Sequence, residues 1–123
     1  MAVARAGRVK KMEKEFIITQ IFDKRWAELN LDDEALRQLQ NHIMQNPGSG
    51  DIIEGTGGLI KLRWNLANRG KSGGLRVLIV DFIRQETVIL VNCYGKSAKS
   101  TITGKEKAIY KDFIKDIGKE LGR

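Results

Sequence analysis

The sequence predicts a small α+β domain with element order βααβββα: a largely antiparallel sheet, a helical hairpin and a C-terminal helix. Three observations predict it. Apolar residues recur at helical spacing through residues 20–45 and again through 105–121. The period drops to two at Ile60, Leu62 and Trp64. Two long β-branched runs, LRVLIVDFI and TVILVNCY, then follow with only Arg84, Gln85 and Glu86 between them. A chain of 123 residues suits a single domain and buries roughly two-thirds of its extended surface, so it folds without disulfides or metals.

Residues 1–14 are polar, basic and aperiodic and read as a mobile arm; residues 15–123 read as one domain. The run EFIIT, residues 15–19, is a short β-branched strand. Thr19 caps a helix striped by Phe22, Trp26 and Leu29, and Asn30 ends it. Asp32 or Asp33 caps a second helix whose inner face is Leu36, Leu39, Ile43 and Met44. Acids crowd its first turn, as the helix dipole favours, and Asn46-Pro47-Gly48 stops it. A link of about three residues between the helices predicts an antiparallel hairpin. Next, Ile60, Leu62, Trp64 and Leu66 share one strand face, with Lys61, Arg63 and Asn65 on the other. The run 75–83 is apolar throughout, as a central strand covered on both faces requires. Short loops join it to its neighbours, so these three strands read as an antiparallel meander. Thr103 and Glu106 form a capping box, and Ile109, Phe113, Ile117 and Leu121 stripe the last helix at spacing four.

The formal net charge is +7, unevenly placed: net +4 in residues 1–14, −5 in 15–54, +7 in 55–105 and +1 in 106–123. A basic middle segment attracts polyanions, of which nucleic acid is the commonest in a cytosol. No run of about 18 apolar residues spans a membrane, and the basic N-terminus lacks the apolar stretch of a secretory signal. The single cysteine, Cys93, lies in an apolar run, which excludes an internal disulfide, fits a cytoplasmic protein and reads as a small core residue.

Several chemistries fail on spacing. Gly70-Lys71-Ser72 resembles the end of a P-loop, but its first glycine is replaced by Asn65 and a strand follows instead of a helix. Gly55-Thr56-Gly57-Gly58 begins like a dinucleotide fingerprint, but Ile60 stands where the third glycine belongs. One cysteine and one histidine give no zinc spacing, and no cofactor or metal site is expected. A ribonuclease built on two histidines is excluded, because His42 is alone and lies off its helix's apolar stripe. What survives is a set of cations. Lys61 and Arg63 share a strand face, Arg76 opens the neighbouring strand, and Lys96 and Lys99 leave the third. Arg69, Lys71, Lys99 and Lys105 lie in the flanking loops and at the last helix's start, placed to hold RNA phosphates.

The stretch GDIIEGTGGLIKLRW, the glycine-flanked arginine of KSGGLRVLIV, and YGK leading into TIT resemble the RelE/HigB group of type II toxin–antitoxin toxins, within the RelE/ParE superfamily. The similarity runs from about Glu15 to Leu121. The resemblance implies a fold like that of small microbial ribonucleases and a metal-independent endoribonuclease that cuts messenger RNA on the ribosome. It implies a cognate antitoxin as partner, in an oligomeric complex that binds operator DNA through the antitoxin. Residue by residue, it assigns Lys61 and Arg63 to the cationic strand positions, Arg76 to the scissile phosphate and Lys96 to a basic position in the last loop. Two positions depart from the best-studied branch: Ser97 replaces a second arginine, and an aromatic hydroxyl expected further along falls near Thr103. The proton-transfer roles therefore stay open. Residues 1–14 lie outside the resemblance. Two other readings remain: a ParE-like toxin that inhibits DNA gyrase by protein binding, and an inactive nucleic-acid-binding relative.

Overall fold

The computed structural model describes residues 2–9, 14–65, 74–95 and 102–122. The chain runs β1 (Val3–Val9), β2 (Lys14–Thr19), α1 (Gln20–Glu28), α2 (Asp33–Gln45), β3 (Asp51–Ile52), β4 (Ile60–Trp64), β5 (Leu75–Phe82), β6 (Thr87–Gly95) and α3 (Gly104–Leu121). The six strands form one sheet in the order β1-β2-β6-β5-β4-β3. Every pairing is antiparallel except β2 with β6.

Two apolar clusters lie on opposite faces of this sheet. One joins Phe22 and Trp26 of α1, Leu36, Leu39 and Ile43 of α2, and sheet residues such as Leu62, Val77 and Leu90. The other joins Tyr110 and Ile114 of α3 to Leu59, Leu78, Val80, Ile89 and Val91. β5 and β6 are thus covered on both sides, which is why their sequences are apolar without alternation.

The helix ends follow their capping residues. The Thr19 side chain accepts from Phe22 N at 3.1 Å to start α1, and Asp32, not Asp33, caps α2 by accepting from Ala35 N at 2.9 Å. Asn30, at φ +59, ends the first helix in the left-handed region. Its N–H donates to Ala27 O and that of Leu31 to Trp26 O, a Schellman closure. Trp26 then stacks between Phe22 and Trp64, with ring centroids 5.4 and 6.2 Å apart, and locks α1 onto β4. The capping box of α3 closes both ways, Glu106 N to Thr103 Oγ1 and Thr103 N to Glu106 Oε1.

Three features correct the sequence reading. Residues 3–9, expected in a mobile arm, form β1 against β2. That strand has no apolar alternation. It is held by backbone pairing and by Arg5, which meets Asp23 at 2.6 Å and Asp33 at 3.4 Å. A further short strand, β3, precedes the glycine-rich turn, so the order is ββααββββα. In α3, Ile109 is 55% exposed, and the buried residues are Tyr110 and Ile114. A strict spacing of four overshoots the 3.6-residue turn and drifts around the helix, so a flat sheet cannot cover both Ile109 and Leu121. Leu66, expected on the β4 face, lies outside the described residues.

Candidate functional site

The glycine-rich turn is built around Thr56, which is fully buried. Its hydroxyl donates to Ile53 O at 2.6 Å and accepts from Leu59 N at 3.0 Å, while Ile53 N donates to Leu59 O. Gly55 and Gly57 sit at φ +84 and +77, a conformation open to glycine and costly for other residues. The turn is therefore a rigid clasp between β3 and β4 that sets where Lys61 and Arg63 emerge. Gly50, at φ +91, tightens the same hairpin: a Cβ there would meet Ile60 Cγ2 at 2.7 Å and Lys61 O at 3.0 Å.

Alternation along β4 and β5 buries Leu62, Trp64, Leu75 and Val77 on the α1–α2 side. It leaves Lys61, Arg63 and Arg76 on the α3 side, half-buried except for the exposed Arg63. Arg63 stands directly opposite Arg76, and Arg76 directly opposite Tyr94. Opposed residues of an antiparallel ladder share a face with Cβ atoms about 5 Å apart, so Arg63, Arg76 and Tyr94 form one row across three strands. The next row is Asp51, Lys61, Leu78 and Asn92. Among the described residues the ion pairs involve neither Arg63 nor Arg76. Like charges directly opposite destabilise a sheet, and this pair is offset by no carboxylate in its row.

Tyr94 reaches the row through a β-bulge. The β5–β6 register slips between Leu78 and Ile79, leaving Val91 as an extra residue. Without that slip, Tyr94 would share a face with Val88 and Leu90, against α1. The carbonyl of Val91 accepts from Thr19 Oγ1 at 2.7 Å, so the extra residue's carbonyl is satisfied. Asn92, turned to the same face, donates from Nδ2 to the Tyr110 hydroxyl at 3.2 Å.

Lys105 is exposed in the first turn of α3. Behind it, sequence reasoning missed Lys107 and Lys111, whose stems lie 3.7 Å from where Cβ atoms on Gly55 and Gly57 would stand. Neither has an acid three or four residues away on α3, so they extend the cationic surface around the clasp; their one-turn spacing was the available signal. Sequence reasoning also missed Asp51, an acid in register with Lys61. Lys96, Lys99, Arg69, Lys71 and Ser97 lie outside the described residues.

Cys93 is fully buried. Burial pushes its thiol from 9.0 up to about 12, against a smaller lowering by Arg25, so it stays protonated and is no nucleophile. His42 closes the end of α2, where Asn46 Nδ2 donates to its carbonyl at 2.9 Å. Among the described residues no group of three or more His, Cys, Asp or Glu could hold a metal ion, and no helix is long and apolar enough to cross a membrane.

Residues 14–120 match the family described as the RelE toxin of the RelE/RelB toxin–antitoxin system. The match begins where β2 begins and covers β2 through most of α3, including the clasp and the arginine pair. The chain belongs to the RelE toxin family.

Proposed function

We propose that this toxin is a metal-independent messenger RNA endonuclease that acts on the ribosome and stops translation, with a cognate antitoxin as its inhibitor. The observation that carries the reading is the opposed pair Arg63 and Arg76 beside Tyr94, an anion-seeking row with no carboxylate of its own. Cleavage begins when an RNA 2′-hydroxyl oxygen attacks the adjacent phosphorus. The 2′ proton leaves, the bond to the 5′-oxygen breaks, and that oxygen takes up a proton. The products are a 2′,3′-cyclic phosphate and a 5′-hydroxyl.

Negative charge grows on the phosphate's equatorial oxygens during that step. Arg76 holds them bidentately, and Arg63 adds a second guanidinium, so the stabilising charges are fixed before reaction. Lys61 lowers the cost of deprotonating the 2′-hydroxyl, and Lys96 offsets charge on the leaving oxygen. Arg69, Lys71, Lys99 and Lys105 hold neighbouring phosphates. Ordinary lysines and arginines are poor bases at neutral pH. Alignment of the messenger therefore supplies much of the rate, and a ribosome that holds a codon extended would provide it. The antitoxin covers the same basic face with an acidic segment, in an oligomeric complex whose antitoxin reads operator DNA.

The test is primer extension on a defined messenger in a reconstituted translation system, with and without ribosomes. New ends inside the reading frame only when ribosomes are present support the reading. Intact messenger in this assay, together with growth arrest when the protein is expressed in cells, would point instead to poisoning of a protein target such as gyrase.

A further inference from the structure

The outer edge of β2 is covered by β1, and little holds β1 in place. Residues 2–7 are exposed, and none of them joins either apolar cluster. The backbone pairs with β2 from Val3 to Val9, and Ala2 O accepts from Gln20 N at 2.8 Å at the start of α1. The side-chain anchor is Arg5, which reaches Asp23 of α1 at 2.6 Å and Asp33 of α2 at 3.4 Å. All three of these side chains are exposed, so salt screens the cluster. Beneath the strand, Ala6 and Gly7 leave a groove of about 280 Å³ beside Phe16, Ile18 and Leu36. Ordering β1 therefore costs conformational entropy with little apolar burial to offset it.

The strand underneath is of the opposite kind. In β2 the charges of Lys14 and Glu15 cancel, and Phe16, Ile17 and Ile18 follow with no proline and no further charge. An uncovered edge of that composition is a template for pairing with another chain. Antiparallel pairing with its own copy about Ile17 sets Phe16 against Ile18, Glu15 against Thr19 and Lys14 against Gln20, so no like charges meet. The free edge of β1 is unsuited to that. Its register slips between Val3 and Arg5, leaving Ala4 as an extra residue, and its sequence holds two arginines and no acid. Bulges and basic residues both keep a sheet edge from pairing further. The family match begins at residue 14, so β1 is an addition in front of the matched domain, lying on its first strand.

We propose that β1 is a removable cover over a latent interface with a second copy of this chain. With β1 docked the chain stays monomeric; with β1 released, the β2 edge pairs with β2 of the second copy and joins the two sheets. Arg5 is the latch, and its exposure makes the latch sensitive to salt. The proposal is independent of the chemistry at Arg76.

The experiment combines sedimentation velocity over a concentration series with amide hydrogen exchange, on the full chain and its full-length variants. Arg5→Glu turns the latch into a repulsion, and Asp23→Arg does the same from the α1 side. The double variant Arg5→Glu/Asp23→Arg restores an opposite-charge pair. Each single variant should lose protection at residues 3–9 and dimerise, with a dissociation constant lower than that of wild type by about tenfold, the worth of the lost pairs plus the new repulsion. The β2 amides should regain protection as the dimer forms, and the double variant should return to wild-type behaviour. Single variants that release β1 yet stay monomeric would overturn the proposal. A dimer whose β2 amides stay unprotected would place the interface elsewhere and overturn it too. Unchanged protection of residues 3–9 in both single variants would remove Arg5 as the latch. Loss of protection throughout β5 and β6 would show β1 to be part of the folding core and not a cover. A double variant that still dimerises would break the link between the ion pair and association.

Discussion

Replacing Thr56 by valine deletes one hydroxyl and almost nothing else, because the two side chains share a shape. The hydroxyl serves two partners, donating to Ile53 O at 2.6 Å and accepting from Leu59 N at 3.0 Å, on a residue with no exposed surface. Leaving the buried Leu59 N–H without a partner costs about 1–3 kcal/mol, and losing the bond to Ile53 O adds roughly 0.5–1 kcal/mol. The extra buried methyl returns about 0.8 kcal/mol. The net expectation is a loss of about 2 kcal/mol. For a domain of this length that lowers Tm by roughly 6–10 °C. Thr56→Ser keeps both bonds and loses one methyl, so it should cost only about 0.8 kcal/mol. Urea unfolding gives the free energies. Native-state hydrogen exchange should show the loss concentrated in residues 51–64 and not in β5 or β6. A Thr56→Val protein within about 0.5 kcal/mol of wild type, below the typical worth of one hydrogen bond, would refute the clasp.

Other predictions test different parts of the fold. Gly50→Ala forces a Cβ into Ile60 and the Lys61 carbonyl at φ +91. It should cost about 2–3 kcal/mol in chemical denaturation, against about 1 kcal/mol for Gly48→Ala, which meets nothing. Asp81 Oδ1 is buried without a hydrogen bond, and its one ion-pair partner among the described residues is Lys14 at 3.6 Å. Lys14→Met should therefore cost about 1–3 kcal/mol, and adding Asp81→Asn should recover part of it; strict additivity of the two losses would contradict the coupling. Cys93 titrates at about 12 when folded and near 9.0 when unfolded. Above pH 9 the unfolded chain gives up this proton while the folded chain keeps it, so the contribution is complete below 9 and drains away toward 12. The stability gap between wild type and Cys93→Ala should shrink by about 1.4 kcal/mol per pH unit in that window; a constant gap would contradict the buried thiol.

The parts legible in the sequence are those where a local pattern and the tertiary demand agree. Thr19 and the Thr103–Glu106 box carry their chemistry in their own turns and cap their helices as read, and of the two acids offered for the second helix Asp32 is the cap. LRVLIVDFI and TVILVNCY announce buried strands because both of their faces are covered. β1 was not legible, because VARAGRV has no apolar face and is held by a neighbour's backbone and by Arg5. Ile109 misled because spacing by four looks like a stripe until the helix must lie on a flat sheet. In the candidate site, Lys61, Arg63 and Arg76 follow from alternation alone. Tyr94 and Asn92 do not, because a single extra residue at Val91 reverses the face of everything after it. Asp51 was hidden because its register with Lys61 depends on the length of the clasp.

The most direct measurement is single-turnover cleavage of a messenger on programmed ribosomes, comparing wild type with Arg76→Ala after circular dichroism shows equal folding. If Arg76 holds the charge that develops on the phosphate, its removal should slow cleavage by about 10²–10³-fold, with the cut positions unchanged. Cleavage by Arg76→Ala at a rate within about threefold of wild type, where a lost charge-stabilising donor should cost at least a hundredfold, would contradict the account.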